Sequence, residues 1–346
     1  DDTVSDFVNG QLPRIHHGTL PAMSTVRQAL QSALDGSGGI VPFDTFMGIA
    51  LHHPQDGYYT RNIRAIGHGG DFTTVPQITP ALGTAVAGWL RREAKARGWS
   101  AFHVIECGPG TGLLAAGVMK NLGWLDRRRA SLRLVETSEP LRGQQENRLG
   151  RFKPSWHASI EAALAACDGS ALIYHNEFFD AFPCRVFRRE NDEWAELHVR
   201  VTNGKLNELF LPPQRPLPDS ATLERAWPEG QRVEVFDAVG TWMRDMYARW
   251  HEGAMLVIDY GGRTDEIYHR RPHGTLRAYR GQQRLTGDAV YEMPGRQDIT
   301  ADVNFGDLAR WAREIGWRTG EMKPLGNLNP CVTGAGAFLT MVFACD

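Results

Sequence analysis

The stretch VIECGPGTGLLAAGVMK, Val104–Lys120, constrains the fold of this chain more than any other. A short apolar run ends on Glu106, glycines follow at 108, 110 and 112, and an apolar helical pattern starts at Leu113. A strand feeding such a loop and then a helix places backbone N–H groups and a helix N-terminus beside whatever lies against the loop. Glycines suit the loop because a Cβ would block close approach and because some positions need a positive φ. A tight turn without a ligand accounts for the same residues, so the rest of the chain must decide.

Short apolar strands alternate with helical segments from there on. FHVIEC, SLRLVET, SALIYHNEFFD, AMLVIDYGG and GAFLTMVFAC read as strands. Leu113–Asn121, PLRGQQENRLG, SIEAALAAC, WMRDMYARWHEG and FGDLARWAREIGW read as helices. That alternation predicts an α/β fold, a doubly wound and mostly parallel sheet covered on both faces. EWAELHVRVTNGKLNELFLPP differs, since its apolar and polar residues alternate around an Asn-Gly turn. It reads as an antiparallel hairpin in a β-rich element inserted at about 185–229. Ahead of the sheet, MSTVRQALQSALDGSGG predicts a helix capped by Ser24, and Asp44 is placed to cap a second one ending before Pro54. A long helix is expected from about Thr79, with Pro80 in its first turn. The division follows: residues 1–78 as an N-terminal helical extension with a cofactor-side loop, and 79–346 as the Rossmann-like domain.

Composition narrows the function. Hydrophobic residues make 42% and charged residues 23% of the chain, ordinary values for a globular enzyme. The formal net charge of −2 argues against nucleic acid or anionic membrane as a non-specific partner. The run Arg127, Arg128, Arg129 reads as a solvated loop at a helix end. Five cysteines include no CxxC pair, so neither a disulfide framework nor a zinc site is expected, and a reducing compartment fits. No apolar stretch is long enough for a membrane span.

The glycine spacing lacks the third glycine of the dinucleotide fingerprint, since Leu113 stands there, and the lysine of a phosphate loop. Glu106 would repel phosphate and attract an ammonium group. The pattern E-x-G-x-G-x-G resembles the first motif of class I S-adenosylmethionine-dependent methyltransferases. Glu136 ends the next strand, where an acid accepts hydrogen bonds from both ribose hydroxyls. HNEFFDAFP puts Asn176, Glu177 and Asp180 at a strand's C-terminal end, with Phe178 and Phe179 as channel wall or core. His175 reads as structural. Asp259 and Tyr260 end another strand, and carboxylates from two strands suit a planar cation such as guanidinium.

Eight words, HPQDGYY, GGDFTT, ECGPGTG, LVETSEPLRGQQ, HNEFFDAFP, VIDYGG, GTLRAYR and PGRQDITADVNF, together resemble the MidA-like family of S-adenosylmethionine-dependent methyltransferases. That family includes the mitochondrial methyltransferase that assists assembly of respiratory complex I. The resemblance implies the class I methyltransferase fold with S-adenosylmethionine as cofactor. It assigns Glu106, Gly108, Gly110 and Gly112 to the cofactor, Glu136 to its ribose, and Gly70, Asp71 and Phe72 to its far side. Asn176 is placed with them. It implies dimethylation of an arginine on a protein, for the mitochondrial member a complex I subunit.

The chain departs from the family at Val75, Gln77, Pro80 and Thr84, where Gln77 and Thr84 replace acids. It departs again where Gln282 or Gln283 and then Asp302 stand for histidines. Glu177, Asp180 and Asp259 are the expected catalytic acids, with Glu177 nearest the acceptor. Two other readings stay open: a non-catalytic assembly factor that binds the cofactor and docks a partner through Val75–Thr84, and a nicotinamide-dependent oxidoreductase, against which Leu113 and Glu106 argue. No metal is expected. A bacterial cytoplasm is favoured over the mitochondrial matrix, and a homo-oligomer is left open.

Overall fold

A computed structural model describes residues 25–62, 80–328 and 338–345. The strands in chain order are β1 Ile40–Pro42, β2 Phe102–Cys107, β3 Ala130–Val135, β4 Ser155–His157, β5 Ser170–Asn176, β6 Arg185–Glu190, β7 Glu193–Thr202, β8 Lys205–Leu211 and β9 Arg232–Val235. Then come β10 Glu252–Gly262, β11 Arg277–Arg280, β12 Gln283–Leu285, β13 Asp298–Thr300, β14 Val303–Asn304, β15 Arg318–Thr319, β16 Lys323–Pro324 and β17 Phe338–Cys345.

The main sheet runs β15-β17-β10-β5-β2-β3-β4. From β10 to β4 all neighbours are parallel, and β17 lies antiparallel on β10. The central strands are continuously apolar because both faces are covered. Alternate side chains go to opposite faces. Val104, Leu172 and Leu256 join one hydrophobic cluster, and Ile105, Ile173 and Val257 join the other. The chain leaves β2 outward through β3 and β4, then returns to the other side of β2 as β5. Open α/β sheets take ligands at such a reversal, outside the carboxyl ends of the strands.

Residues set apart in the sequence reading pack together here. The second cluster takes in Val26, Leu30, Phe43 and Phe46 from helices Thr25–Gly36 and Phe43–His52, Leu197 and Val199 from β7, and Ile173 and Val257 from the main sheet. The inserted element is an antiparallel sheet, β1-β7-β6-β9 with β8 beside β7. It extends to Val235 and recruits β1 from the N-terminal segment. Asn203 and Gly204 turn β7 into β8 with φ of 53° and 73°. A third sheet, β12-β11-β13, had no clear pattern in the sequence because its strands are three or four residues long.

Two local expectations are corrected. Asp44 is not the cap but sits in the first turn of its helix; its carboxylate accepts from its neighbour's N–H and pairs with Arg215 at 2.7 Å. Arg127–Arg129 are not a loop but the last turn of helix Gly123–Arg129. Ser24 and Thr79 lie outside the described residues.

Helix Ala81–Ala96 crosses helix Leu113–Asn121 on glycine. A Cβ on Gly83 would lie 2.8 Å from the Gly117 carbonyl carbon, so the two backbones touch. Gly83→Val is expected to overpack this crossing and cost about 1–3 kcal/mol, read as a lowered urea midpoint at unchanged slope. An unchanged midpoint would mean the helices slide freely.

Candidate active site

The carboxyl ends of β2, β3 and β5 open onto a cavity of about 580 Å³. Its floor is the glycine loop. Gly108 has φ +61°, and a Cβ there would meet the Phe178 ring at 2.8 Å, so only glycine fits without moving that ring. Gly108 and Gly110 line the cavity, as do Pro109 and Thr111. Gly112 does not. It precedes helix Leu113–Asn121 in the left-handed region, and a Cβ would meet Leu149 and Gln145 at 3.0 and 3.3 Å. Gly112 thus packs against the neighbouring helix, between Thr111 and Leu113 of the cavity lining.

Glu106 is buried at the cavity edge and accepts from the Tyr174 hydroxyl at 2.9 Å. Burial pushes its carboxyl up to about 8, against the pull of that hydrogen bond. Glu136 also lines the cavity. Burial raises it too, while the Ser138 N–H at 2.8 Å and the Gln145 amide at 3.1 Å favour its charged form. Gln145 was not singled out in the sequence. Its Nε2 also donates to the Gly110 carbonyl at 2.6 Å, and its Oε1 accepts from Trp156 at 2.9 Å. One amide thus ties the glycine loop to the ribose-side acid.

The other wall follows β5. Asn176, Glu177 and Asp180 all line the cavity. Asn176 donates to Glu177 at 3.0 Å, and its own Oδ1 is buried with no partner. Glu177 has φ +52°, a conformation costly for a side chain with a Cβ. Its N–H is held by the Ile258 carbonyl at 2.9 Å, and Tyr260 approaches its carboxylate at 3.4 Å. Asp180 accepts from Thr300 at 3.1 Å. Burial raises its carboxyl to about 6, with Thr300 and Arg277 pulling down.

Asp259 does not line the cavity. Its side chain is fully buried and accepts from the N–H groups of Phe178, Phe179 and Tyr260 at 3.3, 3.0 and 2.9 Å. Burial, with Asp180 and Glu177 nearby, pushes it well above the usual carboxylate range. In this arrangement Asp259 organises the backbone behind the cavity wall at Phe178 and Phe179. His175 is fully buried between Phe178 and Phe179, with both ring nitrogens unpartnered, and burial lowers it to about 3.

Several lining residues carried no separate sequence signal. Trp242, on helix Asp237–Tyr247, packs on Phe178, Phe179 and Phe182. Tyr59 donates to Asp298 at 2.7 Å. Arg277 is buried and donates to Asp302 at 2.7 Å and to the Thr275 carbonyl at 3.1 Å, beside the rings of Tyr260 and Tyr279. Tyr59, Arg277 and Asp298 lie inside quoted words, which could have flagged them. Of the departures from the family pattern, Gln282 lines the cavity and Asp302 bridges Arg277 and Arg271. Pro80 and Thr84 do not border it, and Thr84 is exposed. Gly70, Asp71, Phe72, Val75 and Gln77 lie outside the described residues.

The cavity admits a cofactor with a nucleoside and a cationic amino-acid end. It has acids at Glu106 and Glu136, a cradle that a Cβ would fill, and an unpartnered acceptor on Asn176. Residues 81–322 match the model of a family described as S-adenosyl-L-methionine-dependent methyltransferases. The chain belongs to this MidA-like methyltransferase family. Protein arginine methyltransferase NDUFAF7, mitochondrial, of Danio rerio is 32% identical over 308 residues, covering 79% of this chain and 69% of that protein. The Mus musculus protein of the same name is 30% identical over 312 residues, covering 80% and 67%. A Burkholderia thailandensis structure bound to S-adenosyl-homocysteine superposes with a TM-score of 0.80 at 25% identity, over 92% of this chain and 91% of that one. The methyltransferase uses S-adenosylmethionine, and the nicotinamide reading falls away.

In this methyltransferase Glu106, Gly108, Gly110, Glu136 and Asn176 would hold the cofactor. An ammonium group beside Glu106 favours its charged form. Binding of S-adenosylhomocysteine at pH 7 is therefore expected to release a proton from Glu106, whose carboxyl stands at about 8. Calorimetry in buffers of different ionisation enthalpy should show the release in the native chain and lose it in Glu106→Gln. The same release in both would place the proton elsewhere.

Proposed function

We propose that this methyltransferase modifies the side chain of an arginine in a protein. The observation that carries the reading is the charge of the cavity. Glu161, Glu177, Asp180 and Asp298 line it in addition to the two cofactor-side acids, against Arg277 and His52. Arg277 is itself neutralised by Asp302. Such a wall attracts a cation and rejects an anion. The names of the NDUFAF7 relatives support the same class of acceptor.

S-adenosylmethionine supplies, when bound, a methyl group on a cationic sulfur whose departure needs no activation. The protein's work is therefore orientation and proton management. A guanidinium has no free lone pair while its charge is spread over three nitrogens. Glu177, held by Asn176 and Tyr260, would draw that charge to one side and leave the far nitrogen nucleophilic. Asp180 would accept the proton that the methylated nitrogen sheds, since a carboxyl at about 6 is mostly ionised at neutral pH. Trp242, Phe178 and Phe182 supply the apolar side that keeps water from competing. A respiratory complex I subunit, the acceptor implied by the family resemblance, is the first protein substrate to test.

Labelled methyl transfer to arginine-containing peptides and to that subunit tests the proposal. Glu177→Gln and Asp180→Asn are each expected to lower turnover by about 100-fold or more while leaving S-adenosylhomocysteine affinity nearly intact. Label on lysine or glutamine instead, or full turnover in Glu177→Gln, would sink it. Turnover should also fall as pH drops through about 6, because Asp180 then carries its proton, and Asp180→Asn should lack that limb.

A further inference from the structure

A second feature lies at the amino ends of β3 and β4, the opposite end of the strands from the cavity. Helix Leu113–Asn121 starts at the cavity and runs back along the sheet, and helix Gly123–Arg129 leads into the first residue of β3. The turn Gly150–Phe152 likewise precedes β4. Between them opens a recess of about 610 Å³ lined by Met119, Lys120, Arg127, Arg151, Phe152 and Lys153. Its four ionisable lining residues are all cations. Lys120, Arg127, Arg151 and Lys153 make no ion pair with an acid among the described residues, and Arg151 lies over the Phe152 ring.

Beside the recess the short helix presents Trp124 and Leu125, 65% and 58% exposed and the most exposed large apolar side chains described. Arg128 covers the Trp124 ring at 5.0 Å, and Arg127 follows Trp124 by three positions on the same helix face. Asp126 is the helix's one acid and faces Arg129 at 4.0 Å. A chain of net charge −2 has thus gathered unpaired cations around two exposed apolar side chains. Exposed tryptophan and arginine together mark interaction surfaces, since these two residue types are enriched among those that carry binding energy when covered.

We propose that this face docks an acidic segment of a partner protein, with carboxylates in the recess and an apolar side chain on Trp124 and Leu125. Charge complementarity selects that occupant. The concave, cation-lined recess fits carboxylate side chains entering one at a time, which a flat headgroup surface does not present. The helix, at seven residues, has no length to lie along a bilayer. The surface stands at the amino ends of β3 and β4, whereas the methyl-transfer cavity stands at the carboxyl ends of the strands, so docking leaves that cavity open. It is also independent of which side chain is methylated.

The test uses the full chain and a fluorescein-labelled acidic peptide of glutamate and aspartate with two leucines, followed by anisotropy. Saturable binding is expected, weakened about tenfold or more by Arg127→Glu with Arg151→Glu and by Trp124→Ala, and weakened by added salt. S-adenosylhomocysteine affinity should stay unchanged in these variants, which shows that they fold. No saturable binding at low salt would overturn the proposal, as would equal binding in the charge-reversed variant. Tighter binding of phosphatidylserine vesicles or of a single-stranded oligoribonucleotide than of the peptide would overturn it in favour of a lipid or an RNA.

Discussion

A carboxylate that never meets the cavity sets its shape. Asp259 sits at the end of β10, and three backbone N–H groups converge on it from Phe178, Phe179 and Tyr260. That clamp holds the chain just beyond β5 in a fixed turn. The turn forces Glu177 into the left-handed region, lays Phe178 against Gly108 and brings Asp180 to Thr300. The conformational cost at Glu177 persists because the surrounding bonds over-determine it. The glycine loop and the acid wall therefore depend on the same buried group. An acid at a strand end reads as catalytic from sequence, yet its nearest partners are backbone amides.

The inserted sheet acts on the cavity through a comparable clamp. Glu234 on β9 is buried and accepts from the N–H groups of Thr275 and Leu276, the Thr275 hydroxyl, and Tyr268. Thr275 in turn accepts from the Asp302 N–H and offers its carbonyl to Arg277. The insertion thereby fixes the segment that carries Arg277 and Tyr279 into the cavity. Asp302, at a position where the resemblance implies a histidine, meets Arg277 with the negative charge of a carboxylate. A histidine there would supply none when neutral, so the departure alters the charge of the cavity wall without removing an acid from it.

Elements that bury a long apolar pattern were legible in the sequence. Leu113–Asn121 and β5 are examples, since their periodicity is set by local structure. The glycine loop was legible because its geometry needs glycine. Asn203-Gly204 was legible for the same reason. What could not be read were side chains brought together by tertiary packing. Gln145 is one residue of a polar helix until the fold lays it between Gly110 and Glu136. Trp242 looks like core until helix Asp237–Tyr247 turns it to the cavity. Gly112 and Asp259 show the converse, because residue type and position match a binding role while the contacts the fold gives them are helix packing and backbone bonds.

The cavity acids pull against folding. Glu106 and Asp180 have carboxyls raised to about 8 and about 6, above the values of 4.5 and 3.8 expected of them unfolded. The folded chain thus binds more protons than the unfolded one between those limits. Stability from these groups is full below the unfolded values and is lost as pH rises through the folded ones. At neutral pH the apo protein is therefore holding carboxyls in an environment that resists their ionisation. A bound cation reverses the balance, because it favours the charged form that burial disfavours. The same desolvation that weakens the empty site strengthens each ion pair made inside it. Affinity for the cationic end of the cofactor thus comes at a cost in stability, and the buried backbone clamp of Asp259 and the side-chain clamp of Glu234 hold the walls that carry these acids.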